Sequence, residues 1–387
     1  MEIELKELGE ITTGNTPSKK DEKYWDSADI CFVKPDVIAD EGITLINDSS
    51  EYISENARGK ARVVSKDAVF VTCIGSIGKI GIADSGDYAF NQQINVIEPN
   101  EKVLPRYLAY NLLYSKPRLV AIANAPVVPI INKTQFGEFI VNIEEDKTKQ
   151  AEVVSILDKL AGIIEFRKSE LESFDDLIKA RFVELFGTLN DNENGFDVVT
   201  IEEVCSLIKD GTHQTPQYTE DREEGYKFLS SKDVMSQKID WTDIKYIPAE
   251  LHEKLYATIK PQRNDILMSK NGVNYGVAAV NDTDEVFDIY VSLALLRPKE
   301  MIDPVFFRCV INNPETKRQF DSSIKGIGVP NLHLGEIKKT KIFLPPMELQ
   351  KKFVNFVKQV DKSKVVVQKA LNETQTLFDS LMQEYFG

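Results

Sequence analysis

Catalysis or metal binding needs nucleophiles, acid–base pairs or ligands at set spacings, and this sequence offers few. The three histidines, His213, His252 and His333, lie in unrelated contexts. None has a second histidine or a cysteine nearby at metal-ligand spacing. His213 and His333 are expected in surface loops. The four cysteines, Cys31, Cys73, Cys205 and Cys309, are scattered, which argues against both zinc and structural disulfides. Gly75-x-x-Gly78-Lys79 lacks the spacing of a phosphate loop and reads instead as a tight turn between strands. No dinucleotide fingerprint or Gly-x-Ser-x-Gly elbow occurs. There is also no Asn-Pro-Pro-Tyr of an adenine methyltransferase and no ATPase motif. The chain reads as non-catalytic.

Composition narrows the classes further. At 387 residues, 42% hydrophobic and 28% charged, the chain is expected to be soluble, with room for two or three domains. No apolar run approaches the roughly 20 residues of a membrane helix. Met1-Glu2-Ile3-Glu4 has no signal-peptide pattern, so a cytoplasmic location is expected. The net charge of −14 opposes a free-standing nucleic-acid binder, which usually carries a basic footprint.

The elements that must position any site repeat. Steps of four and three from Val153 give Val153, Leu157, Leu160, Ile164, Arg167, Leu171, Phe174, Ile178, Arg181 and Leu185, eight of ten apolar. Adding 200 gives Phe353, Val357, Val360, Lys364, Val367, Leu371, Thr374, Phe378, Leu381 and Tyr385, again eight of ten apolar. Heptad seams of this length predict long paired helices. Each closes on Phe-Gly, at Phe186-Gly187 and Phe386-Gly387.

Upstream landmarks repeat with a drifting offset. Gly14 matches Gly211, Pro105 matches Pro304 and Val128-Pro129 matches Val329-Pro330. Strand-like runs repeat likewise: Ile30–Val33 with Tyr226–Leu229, Asp67–Thr72 with Asp265–Lys270, and Ile94–Ile97 with Val291–Leu296. The expected fold is α+β, two tandem globular α/β domains at 1–145 and 195–344. Helical spacers at 146–187 and 346–387 form an antiparallel coiled coil with pseudo-two-fold symmetry. The polar stretch Thr188–Asn194 is the expected linker.

Two diverged modules on a spacer of fixed length form a ruler. DNA half-sites suit such geometry, because symmetric readers engage separated targets at a set distance. Two other classes compete. A protein-interaction scaffold with duplicated modules fits the acidic charge. An enzyme with an unrecognised site in one half is disfavoured by the duplication.

The pattern resembles the specificity subunit of type I restriction-modification enzymes along the whole chain. The resemblance rests on Leu8-Gly9-Glu10-Ile11-Thr12-Thr13-Gly14, on Gly75-Ser76-Ile77-Gly78-Lys79 followed by Asn91-Gln92-Gln93, and on Leu344-Pro345-Pro346-Met347-Glu348-Leu349-Gln350. There are departures. The first junction reads Ile143-Glu144-Glu145-Asp146-Lys147-Thr148-Lys149-Gln150, without Pro-Pro and one residue longer. The second glycine turn reads Asn271-Gly272-Val273-Asn274-Tyr275-Gly276.

The resemblance implies a target recognition domain in each half. It implies binding to a bipartite, asymmetric double-stranded DNA sequence, one half-site per domain. The implied partners are two methyltransferase subunits and two restriction/translocase subunits, with S-adenosylmethionine, ATP and Mg held by them and no cofactor here. Base readers are expected among polar loop residues that match major-groove donors and acceptors. In the first domain these are Asn15, Thr16, Ser18, Lys19, Lys20, Lys34, Ser76, Lys79 and Lys133. In the second they are His213, Gln214, Thr215, Gln217, Ser230, Ser231, Lys232, Lys270, Asn271, Asn274 and Tyr275.

Overall fold

The computed structural model describes residues 1–123, 128–188, 192–324 and 330–387. The expected linker is therefore described only in part, and Val329 of the second Val-Pro pair lies outside the described residues. The chain packs as two units, Met1–Glu170 with Val367–Gly387, and Leu171–Val366.

In the first unit a five-stranded sheet runs in the order Gly9–Thr13, Ile94–Pro99, Val69–Thr72, Ile80–Ala83, Ile43–Ile46. A four-stranded sheet orders Tyr52–Ile53, Ile30–Val33, Asp87–Phe90, Val63–Ser65. The central strand Val69–Thr72 is buried on both faces, so it reads as a continuous apolar run rather than an alternating one. Val69 and Val71 face a core with Tyr107, Leu108 and Leu112 of the short helix Pro105–Tyr114. Phe70 faces a second core, edge-on to Tyr88 and Phe90.

The second unit repeats this plan with one strand fewer in each sheet, four in the larger and three in the smaller. Ile266 and Met268 enter one core, and Leu267 enters the other. The short helix Pro304–Ile311 again begins on proline, which lacks the N–H that a first-turn residue would leave unpaired. The predicted run Val291–Leu296 starts as a strand only at Leu293. Ser292 is held out of the ladder by the turn, where its Oγ accepts the Ser231 N–H (3.0 Å).

The long helices are Lys147–Phe186 and Met347–Phe386, each of 40 residues. All twenty predicted seam positions are buried or half-buried. Within the first unit, Leu157 shares a core with Met382 and Phe386, and Phe386 meets Tyr107 edge-on at 5.1 Å. Within the second unit, Phe182 and Phe186 pack on Phe353 at 5.6 and 5.5 Å, and Lys364 binds Asp175. Partner numbers fall as helix numbers rise, so these segments run antiparallel within that unit.

Each long helix is locked to its domain by a buried glutamine. Gln150 Nε2 donates to Lys102 O (3.0 Å) and Glu144 O (2.6 Å), and its Oε1 accepts the Leu104 N–H (2.8 Å). Gln350 Nε2 donates to Met301 O (3.1 Å) and Pro345 O (2.8 Å), and its Oε1 accepts the Asp303 N–H (2.9 Å). The extra residue of the first junction falls before the helix, so both glutamines sit in the first turn. Among the described residues, no helix is long and apolar enough to cross a membrane, and no His/Cys/Asp/Glu cluster could hold a metal ion.

Candidate nucleic-acid interface

In each unit several loops are tied to one corner, where a strand of the smaller sheet turns into a strand of the larger. In the first unit this corner is Asn91–Gln93. The Gly14 N–H donates to Ile94 O (3.1 Å), the Asn15 N–H to Phe90 O (3.0 Å), the Asn91 N–H to Val33 O (3.2 Å) and the Cys73 N–H to Gln93 O (2.7 Å). In the second unit the Gly211 N–H donates to Leu293 O (3.2 Å), the Thr212 N–H to Ile289 O (2.9 Å), the Tyr290 N–H to Leu229 O (2.8 Å) and the Lys270 N–H to Ser292 O (2.9 Å). The loops after Thr13, Val33 and Thr72, and after Asp210, Leu229 and Ser269, are thereby gathered at matching ends of the two domains.

The two glycine turns share one scaffold despite their different spelling. Gly75 and Gly78 have φ of 77° and 79°, and Gly272 and Gly276 have 86° and 89°, a region that glycine enters without a Cβ clash. The Gly75 N–H donates to Pro129 O and the Gly272 N–H to Pro330 O, both at 3.1 Å. Thr72 Oγ1 donates to Ser76 O and accepts the Lys79 N–H (3.0 Å). Ser269 Oγ repeats this, donating to Asn274 O (2.8 Å) and accepting the Val277 N–H (3.0 Å). One added residue lengthens the second tip, which exposes Val273 and Asn274 where the first exposes Ser76.

The predicted readers divide into tethered and open groups. Glu51 binds both Lys34 (2.5 Å) and Lys19 (3.3 Å), and the Lys34 ammonium holds its carboxyl below the usual carboxylate range. Lys79 reaches Pro35 O (3.3 Å), Ile38 O (3.1 Å) and Asp40 (2.9 Å). Lys232 binds Asp243 (2.7 Å), which raises its pKa. Lys270 is 5% exposed and bound to Asp210. Tyr275 is buried, with its hydroxyl on Asp321 and Lys317 over its ring. Ser230 caps the turn Ser231–Val234 through Asp233, and Ser231 is fastened by its N–H to Ser292. Asn271 is half-buried with an unpartnered Oδ1.

Thr16, Ser18, Lys20, Ser76 and Lys133 are exposed in the first domain. Among these, Thr16 meets Gln92 (3.0 Å), and Lys133 opens the short helix Lys133–Gly137. His213, Gln214, Thr215, Gln217 and Asn274 are exposed in the second. The sequence did not single out Lys60 and Arg62. The Asn15 side chain brings them in, donating to Lys60 O (2.6 Å) and accepting the Arg62 N–H (2.7 Å). Lys60 then shares an open cleft of about 570 Å³ with Thr16, Ser18, Lys20 and Tyr24. Lys20, Lys60, Arg62 and Lys133 make no ion pair among the described residues. A tether 45 residues away leaves no local pattern for a sequence to display.

The other reactive groups are structural. Burial pushes the Cys73 and Cys205 thiols up to about 12 and Cys31 to about 11, so these three are not poised as nucleophiles. His252 is buried, with Nδ1 2.7 Å from Asp288 and its ring stacked 3.7 Å from Tyr226. His213 and His333 are exposed.

Two repeated α/β domains, each with its loops gathered at one corner and each joined to a long helix, match a known class. The family described as "Type I restriction modification DNA specificity domain" matches residues 1–173 and 193–374, and the chain belongs to it. It is 23% identical to the type I restriction enzyme MjaIX specificity subunit of Methanocaldococcus jannaschii, over 98% of this chain and 90% of that one. The MjaVIII specificity subunit of the same organism is 22% identical over 89% of this chain and 88% of its own. The crystal structure of the type I restriction-modification S subunit from M. genitalium has the same fold. Its TM-score is 0.59 and its identity 16%, and the match covers 100% of this chain and 96% of that one.

Proposed function

We propose that the chain is the subunit that chooses the DNA target of a type I restriction-modification system by binding a bipartite, asymmetric sequence. Each domain reads one half-site through its gathered loops, and the two long helices pair as an antiparallel coiled coil that sets the gap. One observation carries this reading: the two loop corners are built by equivalent backbone hydrogen bonds but present different side chains. That is the form expected of one recognition scaffold reading two different sequences.

Catalysis belongs to partners in this reading. Two methyltransferase subunits using S-adenosylmethionine methylate adenine, and restriction/translocase subunits use ATP and Mg. Partners that close around the duplex also answer the net charge of −14, because they supply much of the phosphate neutralisation. The chain itself contributes the open cations Lys20, Lys60, Arg62 and Lys133 in the first domain.

The test is methylome sequencing of a methylation-free host expressing the chain with its methyltransferase partner. A two-part adenine-methylated motif is expected. Exchanging Val273 and Asn274 for other side chains should change the motif in one half only. Methylation without a two-part motif, or a change in both halves, would contradict the assignment.

A further inference from the structure

Arg308, on the short helix Pro304–Ile311, is 8% exposed. Its Nε has no hydrogen-bond partner. One terminal nitrogen reaches Gln237 O at 3.3 Å and the other reaches only Cys309 Sγ at 3.7 Å. No carboxylate pairs with it among the described residues. Asp361 and Asp175 act on it only at longer range, so the buried guanidinium has electrostatic support but no direct ion pair.

Beside it, within the second unit, lies a recess of about 340 Å³ lined by Arg308, Lys179, Lys238 and Lys364, with Asp175 and Asp361. Lys179 is held by Asp176 at 2.9 Å. Both lining carboxylates are already engaged, Asp361 with Lys238 (3.6 Å) and Asp175 with Lys364. Each lysine of the recess thus has its own carboxylate, and Arg308 is left without a direct ion pair. The first unit has no counterpart, because the Pro105/Pro304 offset (304 − 105 = 199) places Ala109 at this position.

We propose that this recess is a binding site for one compact free oxyanion of phosphate or carboxylate size. The guanidinium is a planar donor suited to such a group, and its terminal nitrogens make only long contacts, 3.3 Å to Gln237 O and 3.7 Å to Cys309 Sγ. The surrounding lysines supply long-range attraction without leaving their carboxylates. The recess is lined by none of the corner residues Gly211, Thr212, Tyr290 and Ser292.

The experiment is calorimetric titration of the full-length chain with inorganic phosphate, and separately with acetate, at constant ionic strength in chloride. Thermal melts run alongside, since a ligand bound only by the folded state raises the melting temperature with its concentration. Saturable binding of at least one of the two is expected, with a matching rise in melting temperature. Arg308→Met should abolish both effects. Its folding is checked by the melt in chloride, where it should be at least as stable as the parent because a buried unpaired charge is gone. Lys238→Met, at a more exposed position, should weaken binding about tenfold or less while leaving the fold unchanged. Binding of phosphate but not acetate, or the reverse, identifies which oxyanion the recess selects. Failure of both to bind, or equal binding by Arg308→Met, overturns the proposal and leaves a water-filled recess.

Discussion

Alanine at Gly211 is expected to collapse the second domain's loop corner. A Cβ there would lie 2.3 Å from the carbonyl oxygens of both Ile289 and Tyr290, far inside contact distance. Those oxygens belong to backbone fixed by the ladder with Tyr226–Leu229 and by the Gly211 N–H bond to Leu293 O. No rotamer change relieves the clash, so the strand end must separate. The expected loss is about 4 kcal/mol, above the usual 1–3 kcal/mol for overpacking because the obstacle is backbone.

Gly14 stands in the same position, 2.2 Å from Asn91 O and 2.4 Å from Phe90 O, and Gly14→Ala should do the same to the first domain. Gly162 is the control. It lies within the first long helix with nothing within 4 Å, so Gly162→Ala should stabilise by about 1 kcal/mol through helix propensity. Urea unfolding followed by hydrogen exchange on Cys205–Asp210 and Leu293–Pro298 reads the effect. Unchanged protection in Gly211→Ala would show that the corner yields more easily than its geometry implies.

Leucine at Gln350 should be nearly as damaging, by a different route. The side chain is buried, and its three hydrogen bonds are those that serve Met301 O, Pro345 O and the Asp303 N–H. Leucine fills the space but leaves the buried backbone groups with fewer partners. At roughly 1–3 kcal/mol for each buried group left unsatisfied, the cost is about 3–5 kcal/mol. The damage is local in origin and wide in effect, since the junction fixes where the second long helix leaves its domain. Gln150→Leu should behave alike in the first unit. Gln368, exposed on the second long helix, is the control, and Gln368→Leu should fall within about 0.5 kcal/mol of the parent. Thermal melts together with exchange at the Asp303 amide separate the cases, and a Gln350→Leu chain that melts with the parent would remove the locking role.

These positions also show what a sequence can and cannot display. The helix seams were legible because a period of 3.5 is written in the side chains themselves. Gly14 and Gly211 were legible because the repeat aligned them, although their reason, a carbonyl pair too near for a Cβ, is tertiary. The second glycine turn looked irregular, yet Ser269 performs the work of Thr72, and one extra residue is absorbed at its tip. Which loop cations are tethered and which stand open was not legible. Lys270 lies in a gathered loop and is bound to Asp210, sixty residues earlier in the chain. Lys79 is claimed by carbonyls of Pro35 and Ile38. Conversely, Lys60 and Arg62 sit in an unremarkable stretch and are tied to the loop after Thr13 by the Asn15 side chain. Loop lysines are chosen or released by partners distant in sequence, and no local pattern records that choice.

In the proposed function the long helices measure the distance between two half-sites. One heptad inserted at matched positions, after Arg167 and after Val367, preserves the seam and adds about 10 Å at 1.5 Å per residue. Co-expressed with the methyltransferase partner and read by methylome sequencing, this variant should methylate the same two half-sites separated by a gap about three base pairs longer, from 3.4 Å per base pair. A heptad inserted in only one helix should mismatch the pair and abolish methylation. If the well-folded double insertion kept the parental gap, the helices would not be the ruler.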